Sequence, residues 1–386
     1  MKTKQVTSRG IKNNRHGRRR FSKRAEDLKA SGIRKLFDRA HRIPGAIDLS
    51  IGQAHFDVPD EIKEATINAI RSGCGGYGPT QGDPHLIEAT RQYLKSKYGL
   101  SEDEELLMTS GATGAIVLAL LALVEQGDEV LLPDPYFILY HRLVRLFGGI
   151  PVFYDLYPDF RLRASEIEKQ MSDRARLFIL NTPSNPTGAV FSASEIEEVA
   201  DLCRSQGVTV LSDELYEIFV YDAPHVSIKQ FLGPESLLVG GFSKAYGMAG
   251  WRLGWAAGAP ELIDRMRTLQ QFVYACPPTL VQKGSLAAFD VDMKQYVDDY
   301  RRKRDFMYEG LVASGYEVVK PGGSFFIYPR VPWGDDLEFC ERAIADKLII
   351  VPGRNFSRRL SHVRVSIAAP DETLERGLEV FCRLRH

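Results

Sequence analysis

The sequence predicts an α/β protein: a large domain on a mainly parallel, helix-covered, seven-stranded sheet, followed by a smaller α+β domain. Three observations lead there. Seven apolar runs of strand length occur in order: LLMT, EVLLP, VFYD, LFILN, VTVLSD, LLVGG and GWAAGA. Helix-length amphipathic segments separate several of them, and the alternation fades after about residue 285. Continuously apolar strands interleaved with helices imply a sheet buried on both faces, which is how parallel sheets occur.

Ahead of the first run, Pro59-Asp60 reads as a helix start, with Ile62, Ala65, Ile67, Ala69 and Ile70 as its apolar positions and Gly73 as its stop. Residues 112–125, 192–206 and 260–274 supply helices between strands. A long charged helix over about 293–314, short strands and a last helix at 371–384 read as the second domain.

Composition narrows the function classes. The 386 residues are 44% hydrophobic and 26% charged, ordinary for a folded globular chain of two domains. The longest apolar run, 116–124, is about half of the ~20 residues that span a bilayer. Cys74, Cys203, Cys276, Cys340 and Cys382 are scattered without a CxxC pair, which excludes a disulfide framework or thiolate zinc site and fits a reducing, cytoplasmic setting. The 50 basic and 50 acidic residues cancel, yet ten cations precede the first acidic residue, Glu26. The rest of the chain therefore carries about −10. The basic arm, 1–24, lacks large apolar side chains and an h-region, so it is expected to be disordered and dispensable for turnover. A leader from a mistaken start site, an organellar targeting segment and a nucleic-acid arm rank below that reading.

In an open parallel sheet, ligands bind beyond the carboxyl ends of the strands. After LLMT comes Ser110-Gly111-Ala112-Thr113 opening a helix, either a plain cap or an anion site made of backbone amides. After EVLLP come Tyr136 and Phe137, core aromatics or a stacking platform. After LFILN, two prolines stiffen the loop Asn181-Thr182-Pro183-Ser184-Asn185-Pro186-Thr187-Gly188 and present Asn185. Asp213 ends VTVLSD with Tyr216 one turn on; it is a helix cap or a buried carboxylate that needs a cation. After LLVGG, Lys244 sits in a glycine-rich apolar stretch, where burial lowers its pKa and prepares it for Schiff-base chemistry, and Arg252 follows as a planar cation suited to phosphate.

Together, NTPSNPTG, SDELYE and SKAYGMAGWRLGW resemble the motifs of class I/II pyridoxal-phosphate aminotransferases of fold type I, in the family's order and within a likeness covering roughly 28–384. The resemblance implies transfer of the amino group of an α-amino acid to a 2-oxo acid by a ping-pong route, with pyridoxal 5′-phosphate held by Lys244 as an internal aldimine. It makes Lys244 the proton-moving base, pairs Asp213 with the pyridinium nitrogen, and sets Asn185 and Tyr216 on the ring 3′-oxygen. Phe137, with Tyr136 beside it, covers a ring face; Ala112, Thr113, Ser243 and Arg252 take the phosphate. Arg364, in HVRVSIA, would clamp the substrate α-carboxylate, helped by Gly52 and Asn185. Tyr77, in GGYGPTQG, would reach the phosphate of a neighbouring subunit, so a homodimer with shared sites is implied. The division is then 1–24 arm, 25–50 segment joining the small domain, 51–284 large cofactor domain and 285–386 small domain.

Departures from the family pattern bear on substrate. The stretch usually written GxPDF is Gly52-Gln53-Ala54-His55-Phe56, and Thr113 stands where some aspartate-using relatives carry lysine. Tyr274-Ala275-Cys276-Pro277-Pro278 is less polar than the family pattern, consistent with an apolar or aromatic side-chain pocket. Arg354, Arg358 and Arg359 are candidates for an acidic substrate or for a solvated surface. The competing readings are a β-lyase on the same fold and, further off, a cofactor-binding regulator that contacts nucleic acid through the arm. The intact set Asn185, Asp213, Tyr216, Lys244, Arg252 and Arg364 argues against the regulator.

Overall fold

A computed structural model of the chain describes residues 21–28 and 43–385. Most of the basic arm lies outside the described residues. The described residues form twelve strands. They are β1 (Ile47–Asp48), β2 (Glu105–Thr109), β3 (Glu129–Asp134), β4 (Ile150–Asp155), β5 (Ala175–Asn181), β6 (Thr209–Asp213), β7 (Ser236–Gly241), β8 (Gly254–Gly258), β9 (Phe326–Ile327), β10 (Leu348–Ile349), β11 (Val351–Pro352) and β12 (Val363–Ser366).

The seven strands β2 to β8 form one sheet in the order β2-β8-β7-β6-β5-β3-β4. Only β8 runs antiparallel to its neighbours, β2 and β7. The interior strands are apolar along their length, as burial on both faces requires: β3 and β8 have no exposed residue, and Leu177 to Leu180 of β5 are fully covered. Helices Gly111–Leu123 and Pro260–Val273 pack one face with Leu118, Leu120, Ile263 and Met266. Helix Ala193–Gln206 covers the other face with Ile196, Val199 and Cys203 and starts with a capping box between Ser192 and Glu195. The chain steps from β4 across β3 to β5, and that reversal of strand order makes the crevice at the carboxyl ends of the sheet.

A three-stranded sheet β11-β12-β9 and the pair β1-β10 lie with helices Lys294–Ala313 and Asp371–Leu384. β1 ties residues 47–48 to this part through parallel pairing with β10. One apolar cluster joins it to the loop after β6: Tyr216 and Phe219 pack with Phe325 and Phe326. No helix among the described residues is long and apolar enough to cross a membrane.

Candidate active site

The ends of β2, β3, β5, β6 and β7 feed one pocket of about 250 Å³. β2 runs into the helix Gly111–Leu123, whose Ala112 and Thr113 line the pocket at its first turn. No side chain caps this helix start, so its outward amides are open to an anion. Gly111 has φ +71°, and a Cβ there would lie 2.6 Å from Nη2 of Arg252. Only glycine lets the guanidinium rest on that backbone. Arg252 itself is left-handed (φ 59°), is exposed, and donates from Nη1 to the Ala249 carbonyl at 2.9 Å. Ser243, from the short helix Phe242–Ala245 that follows β7, completes this end of the pocket.

Asp213, at the tip of β6, is 4% exposed. Its Oδ2 accepts from the Tyr140 hydroxyl at 2.7 Å and its Oδ1 from the Leu215 amide at 3.3 Å. Burial pushes its pKa up to about 6, against the pull of the Tyr140 and Leu215 hydrogen bonds. A buried carboxylate with two neutral donors and no hydrogen-bonded cation is prepared for a cationic ligand atom. Asn181, at the tip of β5, joins the neighbouring strand ends: its Nδ2 donates to the Asp213 carbonyl at 3.0 Å and its Oδ1 accepts from the Asn185 amide at 2.9 Å.

Lys244 projects into the same space, and its Nζ donates to the Gly52 carbonyl. Burial first, then the guanidiniums of Arg364 and Arg252, lower its pKa to about 8, while Asp213 opposes them. About a tenth of the amine is therefore neutral at pH 7 and about half at pH 8.

Arg364, on β12, is 3% exposed and lies between the rings of Phe326 and Phe356, 4.4 and 4.7 Å from their centroids. Nη1 donates to Asn185 Oδ1 at 3.1 Å and Nη2 to the Ser50 carbonyl at 2.8 Å, while Nε has no hydrogen-bond partner. No carboxylate pairs with it among the described residues, and burial lowers its pKa to about 10. A buried guanidinium with only neutral acceptors calls for an anion.

The pocket thus brings together Gly52, Ala112, Thr113, Phe137, Asn185, Asp213, Tyr216, Ser243, Lys244, Arg252 and Arg364, while Tyr77, expected at a neighbouring subunit's phosphate, is 93% exposed and does not line it. Tyr136 departs from expectation: it is buried against Phe153 and His141, while Phe137 alone of the pair faces the pocket. The cause is geometric, since the short strand exit turns neighbouring side chains to opposite sides. The arginines considered for an acidic substrate lie elsewhere. Arg354 binds Asp335 and Asp336, Arg359 pairs with Asp155, and Arg358 lies over Phe153. Sequence reasoning missed Tyr140, Asn181, Ile116, Leu215 and Ala249. Tyr140 had a signal, its place one helical turn after Phe137; Asn181 had another, opening the same motif as Asn185.

The residues fit a flat, phosphate-bearing, cationic ring. Open helix amides with Arg252 suit the phosphate, Phe137 flanks the space, and Asp213 awaits the positive charge.

A sequence model of the family "Aminotransferase class I and II" matches residues 44–381. The chain is 34% identical over 373 residues to a "Probable aspartate aminotransferase" of Methanocaldococcus jannaschii, covering 94% of this chain and 98% of that protein. It is 36% identical over 375 residues to "Aromatic-amino-acid aminotransferase 2" of Thermococcus litoralis, covering 93% and 96%. The solved aspartate aminotransferase of Thermus thermophilus with maleate superposes with a TM-score of 0.91 at 31% identity, over 95% of this chain and all of that one.

Proposed function

The chain belongs to the aminotransferase class I and II family, enzymes that act with pyridoxal 5′-phosphate, and on that premise we propose how its own residues divide the work. The reaction moves the amino group of an α-amino acid to a 2-oxo acid. The bound cofactor supplies a carbonyl that takes up the amino group and a protonated ring that withdraws electrons from the substrate α-carbon.

Each protein group then has one task. Lys244 carries the cofactor, and its amine, with a pKa near 8, takes the α-proton at Nζ. Asp213 holds the ring nitrogen and keeps it charged; Tyr140 fixes that carboxylate. Asn185 and Tyr216 hold the ring oxygen, Phe137 covers the ring, and Ala112, Thr113, Ser243 and Arg252 bind the phosphate. Arg364 clamps the α-carboxylate with Gly52 and Asn185 beside it. The observation that carries this reading is the convergence of a depressed lysine, a raised carboxylate and an unpaired guanidinium in one pocket.

We further propose a substrate with an apolar or aromatic side chain. Beyond Arg364 the lining offers Ile116, Leu215 and Tyr216, and its other cations, Arg252 and Lys244, already have tasks. A half-reaction screen tests this: amino acid is added without 2-oxo acid, and the cofactor band is followed. Phenylalanine or tyrosine should react at least about tenfold more efficiently than aspartate. Aspartate reacting fastest would overturn the substrate assignment, and continuous release of ammonia would favour the lyase. The working form we take to be a homodimer with shared sites, because Tyr77 and Phe272 (83% exposed) are large rings that a second copy would cover. Five free cysteines support a cytoplasmic setting.

The Asp213 role has a consequence without any substrate. Its folded value near 6 exceeds the ordinary 3.8, so the cofactor-free fold keeps a proton that the unfolded chain releases between those values. Stability from this group is present below about pH 4 and lost as pH rises through about 6. Asp213→Asn should therefore stabilise the cofactor-free protein at neutral pH, by on the order of 2 kcal/mol, while weakening cofactor binding. Melting curves with and without cofactor check both signs; a destabilised cofactor-free variant would contradict the argument.

A further inference from the structure

We propose that His55 is a positioning residue: as a neutral imidazole carrying its proton on Nδ1, it ties the 49–56 loop to helix Lys294–Ala313 and so aligns Gly52 and Ser50 with Lys244 and Arg364. Among the described residues, only Gly52 and His55 of the stretch 51–56 hydrogen-bond to the rest of the protein. The Gly52 bond is the one to Lys244, and the Ser50 carbonyl just before it receives Arg364. His55 is thus the support of this loop that stands outside the pocket.

The proton's position follows from the neighbours. Lys303 is buried, and its Nζ has three contacts: His55 Nε2 at 2.8 Å, the Ala369 carbonyl at 2.9 Å and Asp299 Oδ2 at 2.9 Å. An ammonium can only donate, so Nε2 must accept and the ring proton sits on Nδ1. Nδ1 then donates to the Tyr300 hydroxyl at 3.1 Å, which also accepts the His55 amide at 3.2 Å. Tyr300 is fully buried, which makes this a rigid anchor. The adjacent Phe56 adds a ring contact with Tyr296, 4.1 Å between centroids.

Protonation at Nε2 would turn an acceptor into a donor facing an ammonium. The charged and titratable groups around the ring are Asp299, Tyr300, Arg302 and Lys303 of that helix and Asp371 at the start of the last helix. Asp299 and Asp371 favour the imidazolium, but Arg302 shares both carboxylates. Burial and then Lys303 act the other way and keep the group below its ordinary 6.5, although its side chain is 23% exposed. The tie is therefore intact at neutral pH and released on acidification.

The test compares holoenzymes of wild type, His55→Gln and His55→Ala over a series from about pH 7.5 down to about pH 4.5. It reads the amino-acid KM in the half-reaction and amide exchange over 49–56. Glutamine can accept from Lys303 and donate to Tyr300 but cannot be protonated. Wild type should show KM rising by roughly three- to tenfold on acidification, with faster exchange than H55Q at the acid end of the series. H55Q should rescue neutral-pH function and show a smaller acid rise in KM than wild type, since Lys244 and Asp213 titrate alike in both, whereas H55A should have raised KM and fast exchange throughout. An acid rise in H55Q as large as in wild type, or an H55A protein unchanged in both readouts, overturns the proposal. The proposal rests on Arg364 binding the α-carboxylate, and exchange reads the tie by itself. Wild-type protection over 49–56 that is lost relative to H55Q on acidification, with no difference in KM between the two, would count against the Arg364 assignment alone.

Discussion

Lys244→Ala is expected to leave a folded protein with transamination reduced by at least about four orders of magnitude. The variant loses both the covalent hold on the cofactor and the base at the α-carbon. It should still bind cofactor, since Asp213, Ser243, Arg252 and the amides of Ala112 and Thr113 are untouched. The absorbance band should therefore shift in position rather than vanish, and the melting temperature should show the same fold. Lys244→Arg sharpens the test. It keeps a cation near the Gly52 carbonyl but offers no neutral amine near pH 8, so it should be as inactive as alanine. Turnover within tenfold of wild type in either variant would contradict the assignment.

Arg364→Ala is the second large effect. The guanidinium is buried, its Nε is unpartnered, and aromatic rings flank it on both faces. Removing it strands a substrate carboxylate in a low-dielectric space, a loss of about 2–5 kcal/mol for a buried charge pair. The expected outcome is a fall in kcat/KM of about 10²- to 10³-fold, carried mainly by KM, with the cofactor band unchanged. Arg364→Lys should recover little, because one ammonium cannot make the planar paired contact. An unchanged KM for every amino acid would show that the carboxylate binds elsewhere.

The parts legible in the sequence were those whose chemistry contradicts their surroundings. Asp213 at the end of an apolar strand, Lys244 among glycines and Arg364 within VRVS are each costly unless a ligand explains them. The seven strands were legible because burial on both faces leaves uninterrupted apolar runs. Partners set by the three-dimensional path were not. Tyr140 reaches Asp213 across 73 residues, and His55 meets Tyr300 across 245, so neither pairing leaves a local pattern. Tyr136 and Phe137 were indistinguishable as letters, and only the turn after β3 decides which one faces the pocket.

Borohydride reduction of the holoenzyme fixes the covalent link to the cofactor, and peptide mapping by mass then locates it. The arrangement of β7, Gly52 and Asp213 around one depressed amine predicts a single label, on Lys244. A label on another buried lysine, Lys229 or Lys303, or none on Lys244, would contradict it.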